Sequence, residues 1–109
     1  MANTFKLKTK ANVGVTTVGI YTAPAATTTV VIGIIMANTS GSGVNVGVGI
    51  TRAGTTEDVK LLKNAPIPQG SSLEFMSGNK IVLEATDTVV VDSDTNNSVD
   101  AALTIMEIT

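Results

Sequence analysis

A chain of 109 residues corresponds to one domain, which can bury roughly 65% of the surface that its unfolded form exposes. The net charge of −2, with a single arginine, argues against a nucleic-acid partner, because phosphate recognition needs clustered lysine and arginine. Histidine and cysteine are absent, which removes the commonest general base and excludes disulfide and thiolate–metal chemistry.

Apolar or small residues alternate with lysines at the N-terminus. Phe5, Leu7 and Thr9 occupy one side of this pattern, and Lys6, Lys8 and Lys10 occupy the other. A period of two predicts a strand whose apolar side faces inward. Lysines along one side are also typical of an edge strand, where they discourage pairing with other chains. Residues 1–12 are therefore predicted to form an edge strand or a docking arm.

The stretch 27–38, TTTVVIGIIMAN, predicts a central strand that follows a shorter strand at 15–22. Its side chains are apolar on both faces, with Val30, Ile32, Ile34 and Met36 on one and Val31, Ile35 and Ala37 on the other. Such a strand is central in a domain or has its second face against another subunit. The apolar run is too short for a membrane span, which needs about 20 residues.

The next strand is predicted at 44–50, as the hairpin partner of the central strand. Gly47 and Gly49 leave one of its faces bare, which allows another backbone to approach closely or a bulge to form. Residues 57–63 fit a short helix or a strand, and the neighbouring strands favour a strand. The prolines within 64–70 exclude a central strand there.

The remaining pattern consists of short apolar runs separated by turn formers. Strands are predicted at 73–76, 80–84, 88–92 and 99–108, with turns at 77–79, 85–87 and 92–97. Eight or nine short strands without an amphipathic helix indicate an all-β fold. We predict one domain, 1–109, folded as an antiparallel β-sandwich of jelly-roll type, with an immunoglobulin-like sandwich as the alternative.

No constellation in the sequence predicts catalysis or a cofactor. Asp92, Asp94 and Asp100 match the start of a calcium loop only in part, because Asn97 stands where glycine is needed, and a solvated turn explains them better. Glu84 and Asp87 flank a tight turn, where an aspartate more simply bonds its own backbone. We therefore predict no enzyme, no cofactor and no metal, while calcium in the Asp92–Asp100 loop stays open.

The apolar content exceeds what one sandwich can hide, because a two-sheet sandwich buries one face of each sheet. Strands that are apolar on both faces therefore predict a homo-oligomer or permanent docking to a larger assembly. The alternative is that loops cover the second faces and the monomer is complete.

Several segments carry a family resemblance. They are IYTAP (20–24), TTTVVIG (27–33), ANTSGS (37–42), APIPQGSSL (65–73), IVLEATD (81–87) and ALTIMEI (102–108). From about Val15 onward the chain resembles small virion structural proteins of tailed bacteriophages, in particular those of cyanobacterial and marine phages. The resemblance implies a compact β-domain in the virion, assembled in the host cytoplasm.

The resemblance fits a capsid decoration or cement protein, a class that is commonly trimeric and binds the major capsid protein to stabilise the head. The alternatives are a neck, tail or baseplate component, and a carbohydrate-binding or adhesin module of a fibre. Few aromatic rings weaken the last, since sugars usually stack on rings. The expected partners are other copies of the chain and the major capsid protein or another virion protein, with neither nucleic acid nor membrane.

The predicted contact surface combines two groups of residues. Exposed apolar strand positions are expected at Val31, Ile35, Val90 and Met106, and a docking segment is expected at Phe5, Lys6, Leu7, Lys8 and Lys10.

Overall fold

The computed structural model describes residues 3–75 and 80–109, and within these ranges the chain forms nine β-strands and no helix. The strands are β1 (Asn3–Val13), β2 (Val18–Thr22), β3 (Thr28–Asn38), β4 (Val44–Arg52), β5 (Glu57–Ile67), β6 (Ser72–Phe75), β7 (Ile81–Leu83), β8 (Asp87–Ser93) and β9 (Val99–Ile108). The strand predicted at 57–63 is confirmed within β5. The turn predicted at 77–79 lies outside the described residues.

The strands form two antiparallel sheets. The five-stranded sheet has the order β1-β9-β3-β6, with β7 pairing with another part of β3, and the four-stranded sheet has the order β2-β8-β4-β5. The pairing is nested, since β1 pairs with β9, β2 with β8 and β4 with β5. The chain is thus one long hairpin folded over into two sheets, which is the jelly-roll arrangement. The predicted jelly-roll sandwich is confirmed.

The core between the sheets is almost entirely aliphatic. Its largest fully buried side chains include Ile34, Met36, Ile67, Leu83, Leu103 and Ile105. Burying a side chain of this size stabilises a protein by about 1.5–3 kcal/mol before entropic costs. Because these residues come from both sheets, the core holds the two layers together.

A bulge in β3 reverses the faces that the sequence predicted for its first half. Val31 pairs with Ile105 and Gly33 pairs with Thr104, so the extra residue at Ile32 shifts the register between them. Val31 consequently points into the core and is 3% exposed, on the same side as Ile34. The predicted alternation of strand 27–38 is wrong at this point.

The predicted hairpin between the central strand and β4 is also wrong. β4 lies in the four-stranded sheet, between β8 and β5. The predicted close approach at its glycines does occur, because a Cβ added at Gly49 would lie 2.8 Å from the carbonyl oxygen of Val59. The register between β4 and β5 is irregular on both sides of Val48. The bare face of β4 therefore lets β5 bend across it.

Candidate interaction surface

The outer face of the five-stranded sheet carries most of the exposed large apolar side chains of the described residues. One row crosses this face from edge to edge, because Phe5 pairs with Met106, Met106 with Val30, and Val30 with Val82. A parallel row pairs Ala102 with Ile35. We call these side chains, together with Leu7, the outer face; they are Phe5, Leu7, Val30, Ile35, Val82, Ala102 and Met106.

Four outer-face residues are exposed to a degree that is unusual for large apolar side chains. Phe5 is 69% exposed, Leu7 is 65% exposed and Val82 is 59% exposed. Ile35, nearer the middle of the sheet, is 45% exposed. A shallow groove of about 310 Å³ runs between Leu7, Ile35 and Ala102. The face therefore offers both protruding side chains and a hollow.

The structure divides the predicted contact residues among three places. Phe5, Leu7, Ile35 and Met106 share the outer face. Val90 pairs with Gly49 in the four-stranded sheet and lines a groove on the opposite side of the sandwich. Val31 is buried in the core, so its predicted place on the surface is wrong, as the bulge at Ile32 explains.

The alternation of β1 is inverted relative to the prediction. Phe5 and Leu7 face outward, while Lys6 and Lys8 lie on the side of the strand that faces β2. The reason is a carboxylate in the neighbouring strand: Lys6 Nζ lies 2.9 Å from Glu107 Oε1, and the Glu107 side chain is only 9% exposed. An inward lysine satisfies that charge, which an inward phenylalanine would leave unpaired.

Tyr21 forms a polar cluster with Lys6, Glu107 and Thr29, and the sequence analysis did not identify it. Its hydroxyl donates a hydrogen bond of 2.6 Å to Glu107 Oε2 and lies 2.8 Å from Thr29 Oγ1. Because the one phenolic proton goes to Glu107, the Thr29 hydroxyl donates to Tyr21. Lys8 Nζ lies 6.0 Å from the centre of the Tyr21 ring. The cluster fastens β1 to β9, β2 and β3.

Both titratable members of the cluster respond to these contacts. Burial, and then the hydrogen bond to Glu107, raises the pKa of Tyr21 to about 12. The hydrogen bond from Tyr21, and then that from Lys6, lowers the pKa of Glu107 below its usual value. The carboxylate and the neutral phenol are therefore the stable pair over a wide pH range.

A second groove, of about 410 Å³, lies at the edge of the sandwich opposite to β1, beside β5 and β7. It is lined by Ile50, Arg52, Val59, Val82, Glu84 and Asp87. Arg52 contacts both carboxylates, with Nε 3.3 Å from Asp87 Oδ2 and a close contact to Glu84. Asp87 Oδ2 also accepts a hydrogen bond from the backbone N–H of Glu84 at 3.0 Å, as predicted for the turn.

The carboxylates of the acidic loop that was considered as a calcium site bind different partners within the protein. Asp92 accepts a hydrogen bond from the Thr17 hydroxyl, Asp94 from the backbone of Asn45, and Asp100 from the backbone of Asn12. Within residues 3–75 and 80–109, no three acidic side chains come together in a way that could hold a metal ion.

No helix in the described ranges is long and apolar enough to span a membrane.

Solved structures with low sequence identity share this fold. A protein of Bacillus endospore appendages, reported as a family of disulfide-linked pili, aligns with a TM-score of 0.57 and 15% identity, over 99% of this chain and 87% of that one. A chain from infectious bursal disease virus, strain Gx, aligns with a TM-score of 0.54 and 13% identity, over 95% of this chain. This chain spans only 33% of that viral protein.

A pentameric capsid protein from metagenomic phage sequences aligns with a TM-score of 0.48 and 16% identity, over 92% of this chain and 59% of that one. No protein-family model matches the sequence, and no curated protein matches it. The two likenesses with TM-scores of 0.57 and 0.54 establish a shared fold. The sequence resemblance to tailed-phage proteins stays a prediction.

Proposed function

We propose that this protein is a structural subunit of a virus particle, and specifically a phage capsid decoration protein. In this proposal it forms a homo-oligomer, a trimer, and its outer face docks on the major capsid protein to stabilise the head. It has no catalytic role. The observation that carries the proposal is the exposed apolar outer face of the five-stranded sheet.

The outer face is both apolar and nearly uncharged. Along the paired strands, charged side chains occur only toward one end, at Glu74 beside Ile35 and at Asp100 beside Ala37. Strand spacings of about 4.8 Å and rises of about 3.3 Å per residue give four strands of seven residues an area of roughly 450 Å². Exposed apolar patches of about 300–600 Å² are often functional on soluble proteins. Covering the part of this face away from Glu74 and Asp100 with another protein removes apolar surface from water without burying those charges.

The jelly-roll fold agrees with this role, since it recurs in viral capsid domains. A chain of infectious bursal disease virus shares the fold over nearly the whole of this chain. The ion pairs described above also suit a structural part, because Arg52 joins the carboxylates of Glu84 and Asp87 at one edge of the sandwich.

The decisive experiment is quantitative mass spectrometry of particles purified from the virus or phage that encodes the chain. Decoration requires a copy number comparable with that of the major capsid protein. A few copies per particle contradict decoration and support a neck, tail or baseplate part. Absence from the particle contradicts the virion role altogether, and a glycan array then tests the adhesin alternative.

A second candidate is a filament subunit, favoured by the pilus protein that aligns over 87% of its own length. This chain contains no cysteine, so any filament that it forms is held without disulfides. Negative-stain electron microscopy of the purified chain distinguishes the two. Discrete closed particles support the decoration protein, and long fibres support the filament subunit.

A further inference from the structure

We infer that copies of this chain join head to tail, with the β1 edge of one copy seated in the groove beside β7 of the next. This inference rests on the self-association in the proposed function, and it assigns that contact to the two opposite edges of the sandwich. The head-to-tail contact uses the outer-face residues at the two edges, Phe5, Leu7 and Val82, and the middle of the outer face stays available for the capsid.

The first half of the contact is the β1 edge. β1 ends the five-stranded sheet, so one side of its backbone has no strand partner within the described chain. Phe5 and Leu7 are the two most exposed large apolar side chains of the described residues, at 69% and 65%. An edge strand with two such exposed apolar residues is expected to bind an apolar groove on another protein surface.

The second half is the groove of about 410 Å³ at the opposite edge. Val82 is 59% exposed and Val59 is 40% exposed there, and Ile50 lines the groove beneath them. Its volume accommodates an aromatic side chain such as Phe5. The sandwich thus has exposed apolar side chains at both edges. They protrude at the β1 edge and line a groove at the edge formed by β5 and β7.

The strand register places the two halves at the same level. Phe5, Met106, Val30 and Val82 are successive partners across the sheet, so they form one row perpendicular to the strands. A contact from Phe5 of one copy to Val82 of the next therefore needs little translation along the strand direction. Rotation without translation closes a ring, whereas rotation with translation gives an open filament. The register is therefore compatible with a closed ring such as the proposed trimer.

Charge disfavours pairing of two β1 edges with each other. Antiparallel pairing of β1 strands would bring Lys6, Lys8 and Lys10 of both copies together, and like charges across strands are destabilising. The groove instead carries the carboxylates Glu84 and Asp87 against the single guanidinium of Arg52. Lysines of the β1 edge therefore meet a more favourable surface at the groove than at a second β1.

The outer face alone is small for a stable interface, so we expect additional contacts at the edges. A stable interface usually buries about 800 Å² per partner, and the estimate for the outer face is roughly half of that. A cyclic contact through both edges gives each subunit two further interfaces. In this arrangement Phe5, Leu7 and Val82 serve the ring contact, and the middle of the outer face serves docking on the capsid.

Complementation between two variants tests the head-to-tail contact. Phe5→Asp removes the protruding half and keeps the groove, while Val82→Asp removes the groove and keeps the protrusion. We expect each variant alone to have the mass of one chain, 11.1 kDa, by light scattering after size exclusion. An equimolar mixture should give a species of twice that mass, because one intact contact joins the two variants and the broken halves stop further growth.

The control is Val15→Asp, because Val15 is 56% exposed and outside both edges. It should keep the mass of the unmodified oligomer. Far-ultraviolet circular dichroism confirms that each variant is folded. If the unmodified chain is oligomeric but the mixture stays at the single-chain mass, or if either variant keeps the full oligomer, the head-to-tail contact is wrong and the virion proposal stands. If the unmodified chain is a monomer at all concentrations, the proposed self-association fails as well.

Discussion

Replacing Tyr21 with phenylalanine removes the hydroxyl that joins Glu107 to Thr29 and leaves the ring in place. The lost hydrogen bond to a carboxylate is of the stronger kind, which contributes about 1.5–3 kcal/mol. Lys6 still contacts the other oxygen of Glu107, so the carboxylate is not left entirely unpaired. We expect the free energy of unfolding at pH 7 to fall by about 2 kcal/mol.

Urea denaturation measures this change, since a small domain loses about 1–3 kcal/mol per molar urea. The pH dependence makes the test sharper. The pKa of Tyr21 is about 12 in the folded protein against 10.0 ordinarily. A raised pKa means that the phenol's contribution is complete below pH 10 and is lost as the pH rises toward 12.

The difference in stability between the unmodified protein and Tyr21→Phe should therefore shrink as the pH rises above 10 toward 12, by about 1.4 kcal/mol for each full pH unit above the unfolded pKa. A gap that stays constant over this range, or a variant as stable as the unmodified protein at pH 7, would refute the role assigned to the hydroxyl.

Three further predictions concern other parts of the molecule. Because the pKa of Glu107 is lowered, the carboxylate stabilises the fold above pH 4.5, and this stabilisation is lost as the pH falls through the folded pKa. Acid titration followed by fluorescence should therefore show that Glu107→Gln loses less stability than the unmodified protein. Gly49→Ala forces a Cβ against the Val59 carbonyl oxygen and should lower the free energy of unfolding by about 1–3 kcal/mol, measured by thermal unfolding. The control is Gly41→Ala, where a Cβ has no atom within 4 Å, and it should change stability by less than about 0.5 kcal/mol. Equal effects of the two substitutions would contradict the close approach at Gly49. Ile35→Asp places a charge on the outer face, and we expect at least a tenfold loss of binding to particles that lack the protein, a loss of about 1.4 kcal/mol, with the mass of the free oligomer unchanged; unimpaired binding would contradict docking through this face.

The sequence predicted the strands well where alternation and turn residues agreed. The strand predicted at 99–108 is β9, and the one predicted at 27–38 is β3 apart from one residue. The pairing of the strands was harder, because the assumption that consecutive strands are neighbours fails for β3 and β4, which lie in different sheets. Nested pairing joins strands that are distant in the sequence, so no residue near position 40 indicates that the chain passes from one sheet to the other there.

The candidate surface was predictable only in part. Ile35 and Met106 lie on an outward apolar face, but the bulge at Ile32 turns Val31 into the core. The orientation of Phe5 depended on Glu107, which is distant in the sequence and whose burial the alternation of β1 does not reveal. The groove at Val82 likewise forms only when β5 and β7 come together in the fold. Period-two patterns identify the two sides of a strand, but long-range contacts decide which side is inside.

The place of β9 has a consequence for how the protein folds as it is synthesised. β9 inserts between β1 and β3, although it follows the eight other strands of the described residues. Until the ribosome has released β9, both long strands lack their shared neighbour, and β3 presents an apolar edge that is open to pairing with any other chain. Contacts between such distant segments also make folding slow. Nascent chains on neighbouring ribosomes are therefore at greatest risk of mispairing in that interval, and a chaperone or a low translation density would raise the yield of folded subunits.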